Sequence, residues 1–416
     1  MLKSTNLAQE KEGVSSAFAV ISLPLQAMRK FFIWFALAIA LVAKAQDGSV
    51  SNRIDSLLNA SELLKTSQMG MVVWDLTADS LLYERNGRQT LRPASTMKLL
   101  TAITALDSLG TDYVLSTKLC YTGTIENGVL RGNLICSGGM DPLFDQSDMQ
   151  AFVESVRTMG IDSITGFVGA DRSFKDDKLL GEGWCWDDDN PVLSPLVYNR
   201  KDVFVETFAR QLMAAGVKGV MAQGSGTVDM RGRETPYIIC VRTHNIDQVL
   251  LRMMKDSDNL FAECLFYQLA SAQGHRPATA KQSAALVKEE IERVGLNPAN
   301  YRIADGSGLS LYNYVSAELL VRLLRHAYRN EAVFRHLLPS LPIAGWDGTL
   351  KNRMDQTAAF GNVKAKTGTL TGIISLAGYC TTANDHQLCF AIINQGVLSA
   401  SQARRLQDRI CIELCR

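Results

Sequence analysis

The sequence carries no surplus of charge: among its 416 residues, 43 Lys and Arg stand against 42 Asp and Glu, for a formal net charge of +1. A nucleic-acid binder draws its affinity from neutralising phosphates, so that class is excluded and no nucleic-acid partner is expected. There are nine cysteines but no C-x-x-C pair, and the five histidines lack zinc-site spacing, so no metal site is predicted. Most of the cysteines lie in apolar runs such as "YIIC" and "HQLCFAII", where the side chain acts as a small buried hydrophobe. No internal repeat or low-complexity tract is evident. A composition of 47% hydrophobic and 20% charged residues excludes disordered and fibrous classes and supplies core for one or two domains.

One apolar run, residues 31–42, is too short for a comfortable membrane span. Arg29 and Lys30 precede it, and Ala43 and Ala45 follow on either side of Lys44. This is the layout of a secretory signal peptide with an A-x-A cleavage site, so residues 1–45 are set aside as a signal region, with Met28 the expected translation start and the mature protein expected to begin near Gln46. No lipid-attachment cysteine follows. The protein is expected to be exported, to the periplasm or cell envelope.

Hydrophobic periodicity predicts a helix in "RIDSLLNASELLKTSQ", two strands around a polar turn in "GMVVWDLTADSLLYERNG", and a second helix from "STMKLLTAITALDSLG". From about residue 116 to 246 the character changes to short β-like runs broken by glycine, which reads as an inserted, mainly β domain. Helices return in "NLFAECLFYQLASAQ" and "SAELLVRLLRHAYRN". "NVKAKTGTLTGIISLAGYC" and "HQLCFAIINQG" then read as paired strands before a last helix. The predicted fold is α+β: an antiparallel sheet with strands from both chain ends, flanked by helices, built from residues 46–115 and 247–416.

Ser95 precedes Lys98 by three positions, so on a helix the two side chains share a face. The serine would also feel the positive end of the helix dipole and nearby backbone N–H groups, which favour an oxyanion. A lysine acts as a base only when burial or a second cation lowers its pKa. Alone the pattern is weak, since S-x-x-K arises about once or twice by chance in such a chain, and a helix cap followed by a solvated lysine explains it equally.

Two further motifs change that balance. In "KAKTGTLTG", a β-like run, Lys366 and Gly368 point one way and Thr367 and Thr369 the other. The glycine permits close approach of a substrate backbone, and the lysine with its neighbouring hydroxyls suits a carboxylate. In "KDSDNLFAECLF", Ser257, Asp258 and Asn259 stand ahead of a helical run, where all three residue types are also favoured as caps. Ser307 and Ser310, with Asn313, in "DGSGLSLYN" offer a rival second serine. Ser257 is preferred because its S-x-N spacing is literal.

S-x-x-K, S-D-N and K-T-G in that order form the motif set of penicillin-binding proteins and class A β-lactamases. Together with "ADGSGLS" and "DGTLKNRM", the chain resembles the low-molecular-mass class C penicillin-binding proteins, the penicillin-binding protein 4 type of D-alanyl-D-alanine carboxypeptidase/endopeptidase, over essentially its whole mature length. The resemblance implies a serine β-lactamase/transpeptidase-like fold with no cofactor. It also implies peptidoglycan stem peptides as substrates and β-lactam antibiotics as covalent inhibitors. Ser95 would attack the bond between two D-alanines, Lys98 would take its proton, and the N–H groups of Ser95 and Thr369 would form the oxyanion hole. Ser257 would relay a proton to the leaving amine with help from Lys366, Asn259 would hold the substrate amide, and Thr367 and Thr369 would bind the terminal carboxylate. In "GEGWCWDDDNPVL", Trp184 and Trp186 would wall a side-chain pocket, with Asp187 or Asp188 pairing a substrate amine such as that of diaminopimelate; an aromatic core anchor beside a solvated acidic turn is the competing reading. A β-lactamase or esterase on the same fold, or a non-catalytic cell-wall binding protein, are the alternatives in function. No sequence signal addresses oligomeric state.

Overall fold

The run "MGMVVWD" is apolar at nearly every position, the pattern of a strand covered on both faces, and it forms β1 (Gln68–Asp75), buried throughout residues 69–73. The computed structural model describes residues 49–186, 190–227 and 236–416. The expected signal region and cleavage site, together with Asp187 and Asp188, lie outside the described residues. Two units are distinguished, residues 1–53 and 54–416, and all that follows on packing concerns the second.

Helix α1 (Val50–Asn59) and a short 3-10 turn (Glu62–Lys65) lead into β1, so the single helix read from this stretch is broken in two. β2 (Ser80–Arg85) returns along β1 through a turn in which Asp75 Oδ1 accepts from the N–H groups of Thr77 and Ala78. A 3-10 turn (Ala94–Thr96) then opens helix α2 (Met97–Leu109), buried over ten consecutive residues, 97–106.

The next stretch builds a second sheet. Its strands are β3 (Val114–Tyr121), β6 (Leu134–Ser137), β8 (Val168–Asp171), β9 (Ala222–Thr227) and β10 (Tyr237–Asn245), in the order β10-β3-β6-β8-β9. β4 (Thr124–Glu126), β5 (Val129–Arg131) and β7 (Ser163–Ile164) form a small third sheet. The pairs β6–β8 and β8–β9 are parallel, and helices α3 (Gln146–Thr158) and α4 (Phe204–Ala214) bury Phe152, Phe204 and Phe208 in a core separate from that around α2. Both helices carry an apolar stripe at helical spacing, Met149, Phe152 and Val156 on α3 and Phe204, Phe208 and Leu212 on α4, that the reading of this stretch as glycine-broken β-like runs passed over; α3 starts on the Asp145 capping box.

Helices α5 (Ile246–Lys255), α6 (Asn259–Ala272), α7 (Ala280–Arg293), α8 (Ala317–Arg329) and α9 (Glu331–Ser340) follow. α6 is buried on all sides from Leu260 to Ala270 and packs against α2. The chain closes with β11 (Lys364–Leu370), β12 (Ile373–Thr381), β13 (Gln387–Gln395) and α10 (Ala400–Leu414). The stretch read as one strand, "NVKAKTGTLTGIISLAGYC", is a hairpin turning at Gly372, whose φ of +75° suits the residue. The first sheet runs β11-β12-β13-β1-β2, antiparallel throughout, so β1 from the front of the chain sits beside β13 from its end. The predicted α+β architecture is present. α8 lies on β1 and β13, and α10 on β12.

Candidate active site

Three elements meet at Lys98. The 3-10 turn before α2 supplies Ser95, the start of α6 supplies Asn259, and the loop before α8 supplies the carbonyl of Ser307. Lys98 Nζ donates to Ser95 Oγ at 3.0 Å, Asn259 Oδ1 at 2.7 Å and Ser307 O at 2.8 Å. The side chain is fully buried. Burial lowers its pKa from 10.5 to about 8, although Asp305, Glu263 and Asp258 each pull it upward. The solvated lysine of the competing sequence reading is therefore absent.

A second buried lysine serves the second serine. Lys366, pointing inward from β11, donates to Ser257 Oγ at 2.8 Å and to the carbonyl of Thr367 at 2.8 Å. Burial first, and then the positive charge of Lys98, hold it well below the ordinary lysine value. The helix cap in "SDN" is Asp258, whose Oδ1 accepts from the N–H of Leu260 at 3.0 Å and whose other oxygen meets Arg200. With the cap assigned to the middle residue, Ser257 and Asn259 turn to the two lysines. Ser257 does so from a left-handed backbone, φ +60°, an uncommon and strained state for a serine.

Gly368 shares the inward face with Lys366, as the strand period requires. The space a Cβ would occupy there lies 2.8 Å from the carbonyl of Pro93 and 3.0 Å from the N of Ser95. The close approach for which glycine was expected is thus made by the turn bearing Ser95, not left open for substrate. Thr367 and Thr369 project to the other side: Thr367 Oγ1 donates to Thr349 Oγ1 at 2.7 Å, and Arg404 Nη2 on α10 donates to Thr369 Oγ1 at 3.3 Å.

The "DGSG" loop is held by two buried acids. Glu263 Oε1 accepts from the N–H groups of Gly306 at 3.0 Å and Ser307 at 2.8 Å. Its pKa is raised by burial and by the neighbouring Asp305. Asp305 accepts from Gly308 N at 2.8 Å, Ser310 N at 2.6 Å, Asn313 Nδ2 at 2.7 Å and Trp184 Nε1 at 2.9 Å. Ser310 is buried in this loop, its Oγ accepting from Tyr312 N at 3.1 Å, and it makes no hydrogen bond to either lysine. Ser307 reaches Lys98 through its backbone alone.

The two tryptophans part company. Trp184 is 9% exposed and bonded to Asp305, the core-anchor alternative, while Trp186 is 85% exposed. The structure does not bring them together as walls of one pocket. Glu263, Asp305 and Arg404 were not singled out from the sequence. Each acts through a contact between segments distant in the chain, and Arg404 sits in a run, "QARRLQDR", that reads as an ordinary helical face.

The model of the D-Ala-D-Ala carboxypeptidase 3 (S13) family matches residues 50–199 and 192–413. The D-alanyl-D-alanine carboxypeptidase DacB of Haemophilus influenzae is 26% identical over 418 residues, covering 80% of this chain and 87% of that protein. Among solved structures, penicillin binding protein 4 from Haemophilus influenzae superposes with a TM-score of 0.78 at 24% identity, covering 87% of this chain and 98% of that one. The same protein complexed with a β-lactam gives a TM-score of 0.72 at 24% identity, covering 87% and 99% of the two chains.

Proposed function

The chain belongs to the D-Ala-D-Ala carboxypeptidase 3 (S13) family and is a serine-type D-Ala-D-Ala peptidase, and from that premise we propose that its reaction runs through an acyl group on Ser95 with Lys98 as the base. The observation that carries this reading is the set of bonds around Lys98 Nζ. Asn259 Oδ1 and the Ser307 carbonyl accept two N–H bonds, so a neutral amine is left with its lone pair facing Ser95 Oγ at 3.0 Å. That is the geometry a general base needs, and burial supplies the lowered pKa.

Ser95 Oγ attacks the carbonyl between two D-alanine residues of a peptidoglycan stem peptide as its proton passes to Lys98. The oxyanion would be met by the N–H groups of Ser95 and Thr369, a pairing supported by the close packing of Gly368, the residue before Thr369, against Ser95 N. Ser257, held by Lys366, passes a proton to the leaving amine. Asn259 has its oxygen engaged by Lys98, leaving Nδ2 to donate to a substrate amide carbonyl. The hydroxyls of Thr367 and Thr369, with Arg404 beside the latter, suit the terminal carboxylate. Water then releases the shortened peptide. Cleavage of cross-links between D-alanine and diaminopimelate is part of the same proposal, in which Trp186, exposed at the surface, and Asp187 or Asp188, which lie outside the described residues, would take the amine of the second peptide.

β-Lactams would acylate Ser95 and leave slowly. Glu263, Asp305 and Asp258 spend their oxygens on backbone N–H groups, an indole and arginine, which supports a peptidase over an efficient β-lactamase. The reading of 116–246 as an inserted domain is supported by the second sheet, whose strands fall between Val114 and Asn245, and by its own apolar core. Export is supported by the signal-like layout of residues 28–46 and by the location of peptidoglycan outside the cell membrane. No helix among the described residues is long and apolar enough to cross a membrane. The test is release of free D-alanine from a peptide ending in D-Ala-D-Ala. Release that disappears in Ser95→Ala is expected; release unchanged in that variant would contradict the assignment, and rapid nitrocefin hydrolysis would favour the β-lactamase alternative.

A further inference from the structure

At the far end of α2 from Ser95, three helices bring Asp107, Glu290 and His326 together. One donor atom from each lies within 4.8 Å of the others. His326 Nε2 is 2.7 Å from Asp107 Oδ2 and 3.6 Å from Glu290 Oε1. The outer oxygens of both carboxylates are tied back: Asn330 Nδ2 donates to Asp107 Oδ1 at 3.1 Å, and Arg293 Nη1 donates to Glu290 Oε2. Glu290 is 2% exposed, yet its Oε1 has no hydrogen-bond partner. A buried acceptor left open in this way is costly unless something fills the space before it.

We propose that Asp107, Glu290 and His326 form a binding site for a divalent transition-metal ion of the zinc class. Donors on a tetrahedral Zn²⁺ at about 2.1 Å are about 3.4 Å apart, so the observed separations need little movement. One imidazole nitrogen with two carboxylate oxygens is a donor set that suits zinc, with water completing the shell. Asn330 and Arg293 serve as the partners that orient ligating carboxylates. The His326 side chain is 27% exposed and gives the ion a way in. Asp107 and Ser95 are about 18 Å apart along the chain direction at helical rise, so the ion would not take part in the chemistry. It would clamp the C-terminal end of α2 to α7 and α8. Sequence spacing concealed the site because its ligands come from three separate helices.

The test uses the full chain, stripped with chelator and titrated with Zn²⁺ alone by calorimetry, and in parallel followed by thermal unfolding. One equivalent is expected to bind saturably, to raise the melting temperature, and to bind at least about tenfold more weakly in Glu290→Gln and in His326→Gln. Because Glu290 is buried, the variant at the partly exposed His326 keeps the test open where Glu290→Gln fails to fold. No saturable binding, or binding of equal affinity in His326→Gln, would overturn the proposal and leave an ion pair between His326 and Asp107.

Discussion

Lys98 Nζ donates to Asn259 Oδ1 at 2.7 Å, joining the helix that carries the first motif to the helix that carries the last residue of the second, 161 positions on. This bond, with that to the Ser307 carbonyl, decides which direction the neutral amine presents to Ser95. The pH dependence of acylation follows from it. With Lys98 lowered to about 8, the neutral base is scarce at lower pH and dominant above. The rate of acylation by benzylpenicillin is expected to rise about tenfold per pH unit up to about 8 and then level. A stopped-flow or quenched-flow pH series checks this; a flat or falling profile would contradict the base assignment.

The two candidate second serines differ in what they touch. Ser257 Oγ is bonded to Lys366, whereas Ser310 is enclosed in the Asp305 loop. Ser257→Ala is therefore expected to slow acylation by about a hundredfold or more, and Ser310→Ala by far less. Second-order acylation rates on both variants give the ranking directly, and the reverse order would move the site to the loop.

Gly308 has φ +81°, and a Cβ there would lie 1.9 Å from the carbonyl of Ala94, next to the nucleophile. Gly308→Ala is expected to cost about 1–3 kcal/mol in stability and to depress acylation by displacing the Ser95 turn. Urea unfolding and acylation rate on the same sample test both halves. Wild-type values in both would show that the loop adapts freely.

The tryptophans supply a matched pair. Trp184→Phe removes a donor from the buried Asp305 carboxylate and is expected to lose about 1.5–3 kcal/mol, while Trp186→Ala, at an exposed site, should stay within about 0.5 kcal/mol. Chemical denaturation separates these outcomes. Equal losses would mean that Trp184 is not the anchor its bond implies.

Much of this site was legible because its motifs obey short-range rules. Ser95 and Lys98 meet through the helix repeat, and Lys366 and Gly368 share an inward face through the strand period. The order of the three motifs carried the family resemblance, while apolar strand runs at the front and back of the chain carried the antiparallel sheet joining both chain ends. What could not be read was long-range: the loop held by Glu263 and Asp305, the reach of Arg404 to Thr369, and the convergence of Asp107, Glu290 and His326. Periodicity says which face of an element is buried, not which distant carboxylate it meets. The packing of Gly368 against the Ser95 turn was hidden for the same reason, since that turn lies more than 270 residues earlier.

The measurement closest to the central claim is peptide-level mass spectrometry of the folded protein after incubation with benzylpenicillin. A single adduct is expected on the peptide holding Ser95, absent in a folded Ser95→Ala variant and decaying slowly in the wild type. An adduct on any other serine, or one that persists in Ser95→Ala, would contradict it.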